Sequence, residues 1–177
     1  MKLTTIIFAV IALLAGQTQL KLNKEKSSIT IFGTSTVHDW ESTVNTFDIR
    51  GDKDGNSIKN LKVTMVTKSI KSGKSIMDGK TYDALLEEDH PQITLQADQL
   101  TISDGKVTGS GKLALAGQTK TIAISGKVIS DNNSQIHIQG ANKIDMTQYG
   151  IEPPTAMFGS LITGDEVTIK YDIKFQY

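Results

Sequence analysis

The C-terminal stretch Val167-Thr168-Ile169-Lys170-Tyr171-Asp172-Ile173-Lys174-Phe175-Gln176-Tyr177 alternates apolar and polar side chains without a break. Successive side chains of a β-strand point to opposite faces, so the stretch reads as one strand with a dry face and a wet face. The same period of two recurs at Ile29 and Ile31, Ile58 to Met65, Ile93 to Ala97, Val107 to Leu115, Ile122 to Val128, and Ile136 to Ile138. With the segment Trp40 to Ile49 these make about eight strands, a number that can close a small barrel.

Short turn sequences separate the strands: Asp54-Gly55-Asn56, Ser103-Asp104-Gly105, Ala116-Gly117-Gln118 and Asp131-Asn132-Asn133. Each is short enough to join antiparallel neighbours, which argues for an all-β meander. Gly109, Gly111, Gly126 and Gly140 fall inside strands, where they are expected to permit the bends that closure requires. Two segments depart from the pattern. In Ser75 to Asp89, Met77, Tyr82, Leu85 and Leu86 fall on one helical face, and His90-Pro91 stops it; a short helix is expected near Met77 to Glu88. Asp145 to Asp165 holds Pro153-Pro154 and reads as a long late loop of the kind that covers a mouth.

The chain has 177 residues, enough for one domain and a targeting segment. Lys2 precedes the apolar run Ile6 to Ala15, the layout of a secretory signal peptide, and such a run is too short to span a bilayer. The expected division is residues 1–16 as signal and 17–177 as barrel, with a periplasmic or secreted product and no transmembrane segment in the mature chain. There is no cysteine, which removes disulfides, thiol catalysis and cysteine-ligated metal sites. Basic and acidic residues number 19 each and are interspersed, so nothing suggests a nucleic-acid partner.

Catalytic signatures are missing where they are sought. His38, His90 and His137 contain no pair at ligand spacing, so no metal site is expected. Ser35 and Ser75 lie in no Gly-x-Ser-x-Gly elbow, and Gly109-Ser110-Gly111-Lys112 leads into a strand rather than a phosphate-binding helix. His137, between Ile136 and Ile138, is expected on the outer, exposed face. His38-Asp39-Trp40 either places polar groups at a barrel mouth or forms a turn packed by Trp40.

Four phrases together resemble the YceI-like family: GTSTVHDWE (33 to 41), KSIKSGKSIMDGKTYDALLEEDHPQITL (68 to 95), LALAGQTKTI (113 to 122) and YGIEPP (149 to 154). The chain departs from many members at its start, where Leu20-Lys21-Leu22-Asn23-Lys24 replaces a Trp-containing strand. The resemblance implies a lipocalin-like antiparallel barrel with an apolar lumen for an isoprenoid tail. It implies a binding module, a carrier or store rather than an enzyme, with no cofactor beyond a bound isoprenoid-type lipid; an enzyme acting on such a lipid and a structural barrel with a filled core stand as the alternatives. The lipid class stays open between isoprenoid, quinone and polyprenyl phosphate, and a homodimer stays open too.

Joining the resemblance to the alternation places Ile31, Val63, Met65, Leu95, Leu113 and Leu115 in the lumen. Ile124, Ile169 and Ile173 follow on the later strands, with Phe47, Leu85 and Phe158 added from the second β segment, the helix and the late loop. His38, Asp39 and Trp40, with Asp78, Tyr82, His90 and Tyr149, are the expected headgroup or mouth residues. For Asp78, Tyr82 and His90 a structural reading stands beside this one: Asp78 caps the helix, Tyr82 packs under it and His90-Pro91 ends it.

Overall fold

The computed structural model describes residues 17–177, and for Ala156 and Met157 the backbone alone. The signal expected over residues 1–16 lies outside the described residues. Strands β1 (Thr18–Gln19) and β2 (Lys21–Leu22) precede β3 (Ser28–Ser35), β4 (Trp40–Val44), β5 (Phe47–Asp54), β6 (Ser57–Val66) and β7 (Ile70–Lys71). Helix α1 (Ser75–Ala84) leads to β8 (Gln92–Ser103), β9 (Lys106–Leu115), β10 (Gln118–Asp131) and β11 (Gln135–Asp145). The two-residue β12 (Thr155–Ala156) and the long β13 (Leu161–Gln176) complete the order.

The strands form a curled, barrel-like antiparallel sheet in the order β1-β5-β6-β8-β9-β10-β11-β13-β3-β4-β7, with β2 and β12 also on β13. The sheet counts 13 strands, so the expectation of about eight is too low. Segments of two residues carry no legible alternation, and Trp40 to Ile49 divides at Asn45-Thr46 into β4 and β5. The short pieces matter for closure. Thr18 pairs with Lys53 of β5, the Leu20 N–H donates to the Gly51 carbonyl, and Leu22 pairs with Phe175 of β13. Residues 18–22 thus cover part of the free edge of β5 and the end of β13 beyond β3, which would otherwise present unpaired backbone groups. On the other side Val44 pairs with Ile70, and the Val66 N–H donates to the Thr46 carbonyl.

Turn chemistry sets the register. Ser103 pairs with Lys106 and Leu115 with Gln118, leaving two-residue loops Asp104-Gly105 and Ala116-Gly117. All four loop residues have φ between 46° and 76°, the left-handed pair that matches the twist of a tight hairpin. The helix is shorter than expected. It stops at Ala84, with Leu86 at φ 53°, so Leu86 turns outward and residues 85 to 89 form a turn rather than a last helical stretch. The late loop is also more ordered than expected: a 3-10 turn at Met146–Tyr149 precedes β12, and β13 begins at Leu161.

Ile58, Ile70 and Ile136 are at most 2% exposed, and each such side chain contributes about 1.5–3 kcal/mol on burial. The strand glycines do more than bend. Gly140 sits opposite Tyr171, whose hydroxyl occupies the space a Cβ would take. His137 does lie on the outer face but is not exposed: it is half-buried, its Nε2 2.7 Å from an Asp172 carboxylate oxygen across the β11–β13 pairing.

Candidate binding cavity

Period two carries the inward side chains down each strand in steps of two, and the steps outline two adjoining spaces that share part of their walls. The upper cavity holds about 660 Å3 and the lower about 140 Å3. Met65, Leu113, Ile144 and Ile169 belong to the walls of both and form a waist between them. Below it lie Val63, Leu95, Ile124, Ile138 and Ile173; above it, Ile31, Ile93, Leu115 and Val167. The lower space shows little polar chemistry: Asn142 gives its side-chain N–H to the Ala123 carbonyl, and Tyr171 gives its hydroxyl to the Ser125 carbonyl. A volume of this size, apolar with few polar groups, falls in the range of small-molecule sites.

Helix α1 forms one wall. Met77, Thr81, Ala84 and Leu85, at helical spacing i, i+4, i+7 and i+8, face the upper cavity. The adjoining face pins the helix to the residues around β7. Asp78 is buried and its Oδ1 accepts from both the N–H and the hydroxyl of Ser72, at 2.8 and 2.6 Å, while Lys71 Nζ stands 3.7 Å from Oδ2. The Tyr82 hydroxyl accepts from Lys71 Nζ at 2.5 Å and lies 2.9 and 3.0 Å from the carbonyls of Lys68 and Ile70. Asp78 is therefore a clasp rather than an N-cap; the cap residue, Lys74, makes no side-chain cap bond.

Burial pushes the Asp78 carboxyl up, but the Ser72 hydrogen bonds and the Lys71 charge outweigh it and hold the group below its ordinary value. Its stabilising contribution is then present above the unfolded-state value and lost as pH falls through the depressed folded-state one. Asp78→Asn is expected to cost about 1–2 kcal/mol near neutral pH. The difference from the unmutated chain should shrink toward zero in acid. Urea unfolding of both proteins at neutral and acid pH checks this, and an equal difference at both pH values would contradict it.

At the mouth, the Trp40 ring lies over Gly33, its cross-strand partner, and its Nε1–H donates to the Thr34 carbonyl at 3.1 Å. Trp40 packs this turn and also lines the cavity with His38. Asp39 is exposed and outside the wall. The Ser35 hydroxyl accepts from the N–H groups of Val37 and His38 and donates to the His38 carbonyl, so it shapes the turn. Met146, Ile151, Pro154, Leu161 and Thr163 bring the late segment to the same opening. Lys74, Lys80 and His38 belong to this wall, and no carboxylate does.

Ten of the expected lumen positions line one space or the other: Ile31, Val63, Met65, Leu85, Leu95, Leu113, Leu115, Ile124, Ile169 and Ile173. Phe47 does not; as the first residue of β5 it packs half-buried against the core from the sheet margin. Phe158 does not either; its φ of 56° turns it outward and it is fully exposed. Of the expected mouth residues, Asp78 and Tyr82 bond toward β7. His90 stands outside the wall, its carbonyl accepting from Thr67 and its ring covering Gly117. Tyr149 is buried outside the wall, with a hydroxyl that has no hydrogen-bond partner among the described residues and a pKa raised by burial. Ile144 was missed, although the alternation from Ile136 and Ile138 through Gly140 and Asn142 leads to it. Ser42, buried beside Trp40, carried no such signal.

No group of three or more His, Asp or Glu placed to hold a metal occurs among the described residues, and no described helix is long and apolar enough to cross a membrane. The fold is shared with solved structures. A Burkholderia cenocepacia protein, BcnA, aligns with a TM-score of 0.76 at 18% identity, covering 87% of this chain and 99% of that one. A polyisoprenoid binding domain from Saccharophagus degradans aligns at 0.69 and 14% identity, covering 91% and 99%. The Campylobacter jejuni YCEI protein aligns at 0.65 and 17%, covering 77% and 84%. No curated protein matches the chain. The model of the YceI-like domain matches residues 20–175, nearly the whole described fold, and the chain therefore belongs to the YceI-like domain family.

Proposed function

We propose that this protein binds a long apolar chain, of isoprenoid type, across the two adjoining cavities, and acts as an exported carrier or store rather than an enzyme. The observation that carries the reading is the pair of apolar spaces of about 660 and 140 Å3, which share Met65, Leu113, Ile144 and Ile169 as a common wall, the larger one lined by α1 and the late segment. A tail gains about 0.8 kcal/mol for each methylene it removes from water, so several isoprene units can be held with few headgroup contacts. Membership of the YceI-like family and the likeness to a domain described as polyisoprenoid binding support the same ligand class. The head of a quinone or polyprenyl phosphate would meet His38, Lys74 and Lys80 at the opening. Export rests on Lys2 and the apolar run Ile6 to Ala15, and places the protein in the periplasm or outside the cell.

An enzyme acting on such a lipid is the competing reading. Ser35 faces the cavity, but its hydroxyl is engaged with the backbone of its own turn, and a nucleophile would need a positioned base there. The test is mass spectrometry of the protein purified from its own cells, intact and after solvent extraction. The intact chain should lack Lys2 to Ala15, and the extract should contain a chain lipid with isoprenoid mass spacing in stoichiometric amount. An extract without lipid, combined with no uptake of added polyprenol, would overturn the proposal. A chemically altered lipid after incubation would favour the enzyme.

A further inference from the structure

Six large apolar side chains stand exposed among the described residues: Val37, Ile76, Leu86, Ile129, Phe158 and Ile162. Chance would scatter them over the surface. All but Ile129 instead lie within three residues of a position lining the upper cavity. Backbone bonds bring several to one rim. Thr36 gives its N–H to the Ile162 carbonyl and its hydroxyl to the Ser160 carbonyl, setting Val37 beside the start of β13. Thr155 pairs with Ile162 and Ala156 with Leu161, leaving Phe158 in the connection between them. Ile76 stands in the first turn of α1, which lines the same opening.

Phe158 is the sharpest case. Left-handed backbone is costly for a bulky residue, and here it holds the whole ring in water. Clustered exposed apolar groups mark an interaction surface, and the chemistry around this one selects the partner. Lys74 and Lys80 are the charged side chains of the cavity wall, they form no ion pair among the described residues, and no carboxylate joins them. Asp39, Asp83, Glu152 and Asp165 are exposed beside wall positions in the chain but outside the wall, which keeps the electrostatic preference modest.

We propose that the cavity mouth is a bilayer-docking surface, in which Val37, Ile76, Phe158 and Ile162 enter the interface of an anionic membrane while Lys74 and Lys80 meet its phosphates. The inference rests on the lipid-binding reading of the cavity. A ligand whose tail gains that much from leaving water has almost no free aqueous population, so it has to be taken from, or given to, an apolar phase at the opening. The rim supplies the contact that would keep the tail dry in passage.

Trp40, the single tryptophan, sits in the mouth wall and reports the contact. The full chain is mixed with vesicles of brominated phosphatidylcholine and phosphatidylglycerol, and Trp40 fluorescence is followed as lipid is added. Quenching is expected for the unmutated protein. The variant Val37→Ser, Ile76→Ser, Phe158→Ser, Ile162→Ser should need about tenfold more lipid for the same quenching, given the apolar area removed. Lys74→Glu with Lys80→Glu should remove most of the preference for phosphatidylglycerol. Circular dichroism confirms that the variants keep their sheet. Absence of quenching in the unmutated protein, or equal quenching in the serine variant, overturns the proposal. So does a serine variant that changes oligomeric mass without any vesicle contact, because the rim would then join two copies. Polyprenol added to the vesicles and recovered with the protein after the vesicles are spun away measures uptake into the cavity. Its loss with docking intact would refute the reading of the cavity and leave the docking surface standing.

Discussion

Leu113→Asp is expected to abolish retention of a long polyprenol, weakening it at least about a hundredfold, because Leu113 stands at the waist both cavities share. A tail entering the lower space would have to strip water from the new carboxylate. Burying an unpaired charge costs several kcal/mol, and about 2.8 kcal/mol already amounts to a hundredfold. Aspartate is too short to snorkel out of the waist as a lysine could. The empty protein should still fold, since water can fill the space beside the charge. Leu113→Phe separates blocking from charging: a bulkier apolar side chain narrows the waist, so long tails should lose affinity while short ones, held above it, keep theirs. His137→Ala, on the outer face with Asp172 as its partner, should leave binding unchanged. Titration with polyprenols of increasing length, read by Trp40 fluorescence, checks all three. Unaltered long-tail binding by Leu113→Asp would mean that the tail does not cross the waist.

That experiment turns on positions visible in the sequence, and the reason is geometric. Ile169 and Ile173 follow from the alternation of the last strand, and Met65 and Val63 from that of β6, because a strand's period is fixed by the backbone itself. What sequence could not supply was anything that depends on how a segment meets another. Phe47 has the right residue type and the right parity, yet it begins its strand and finds a neighbour on one side only. Phe158 is expected in the lumen from its place in the late loop, and the sign of a single φ angle turns it outward. Asp78 and Tyr82 share one face of α1 at i and i+4 spacing, but only the packed structure shows that this face meets β7 and that the one carrying Met77, Thr81 and Ala84 meets the cavity. The glycines carry the same lesson, since their spacing in the sequence says nothing of the side chains that fill the room they leave.

Gly140→Ala should therefore be among the most damaging small substitutions in the chain. A Cβ at this position would overlap the Tyr171 ring and hydroxyl and stand 2.7 Å from the Ser125 carbonyl oxygen, closer than real Cβ contacts come. Backbone cannot retreat, because Gly140 pairs with Gly126 on one side and with Tyr171 on the other. The tyrosine must leave its slot and give up its 2.7 Å hydrogen bond to Ser125. Overpacking and the lost bond together predict a cost of about 2–4 kcal/mol. Tyr171→Phe, which removes only the bond, should cost about 0.5–1.5 kcal/mol. Combining Gly140→Ala with Tyr171→Val should cost less than the sum of the two single changes, since the clash has one owner. A further signature comes from pH. Burial pushes the Tyr171 hydroxyl up to about 12 from an ordinary 10.0. Its folded-state value is the higher one, so stability is full below 10.0 and falls as pH rises toward about 12. Tyr149 and Tyr177 are shifted in the same direction, so Tyr171→Phe should reduce this alkaline loss without removing it. Urea unfolding at neutral and alkaline pH reads both effects. Additive costs in the double variant would show that alanine is resisted by something other than the Tyr171 ring.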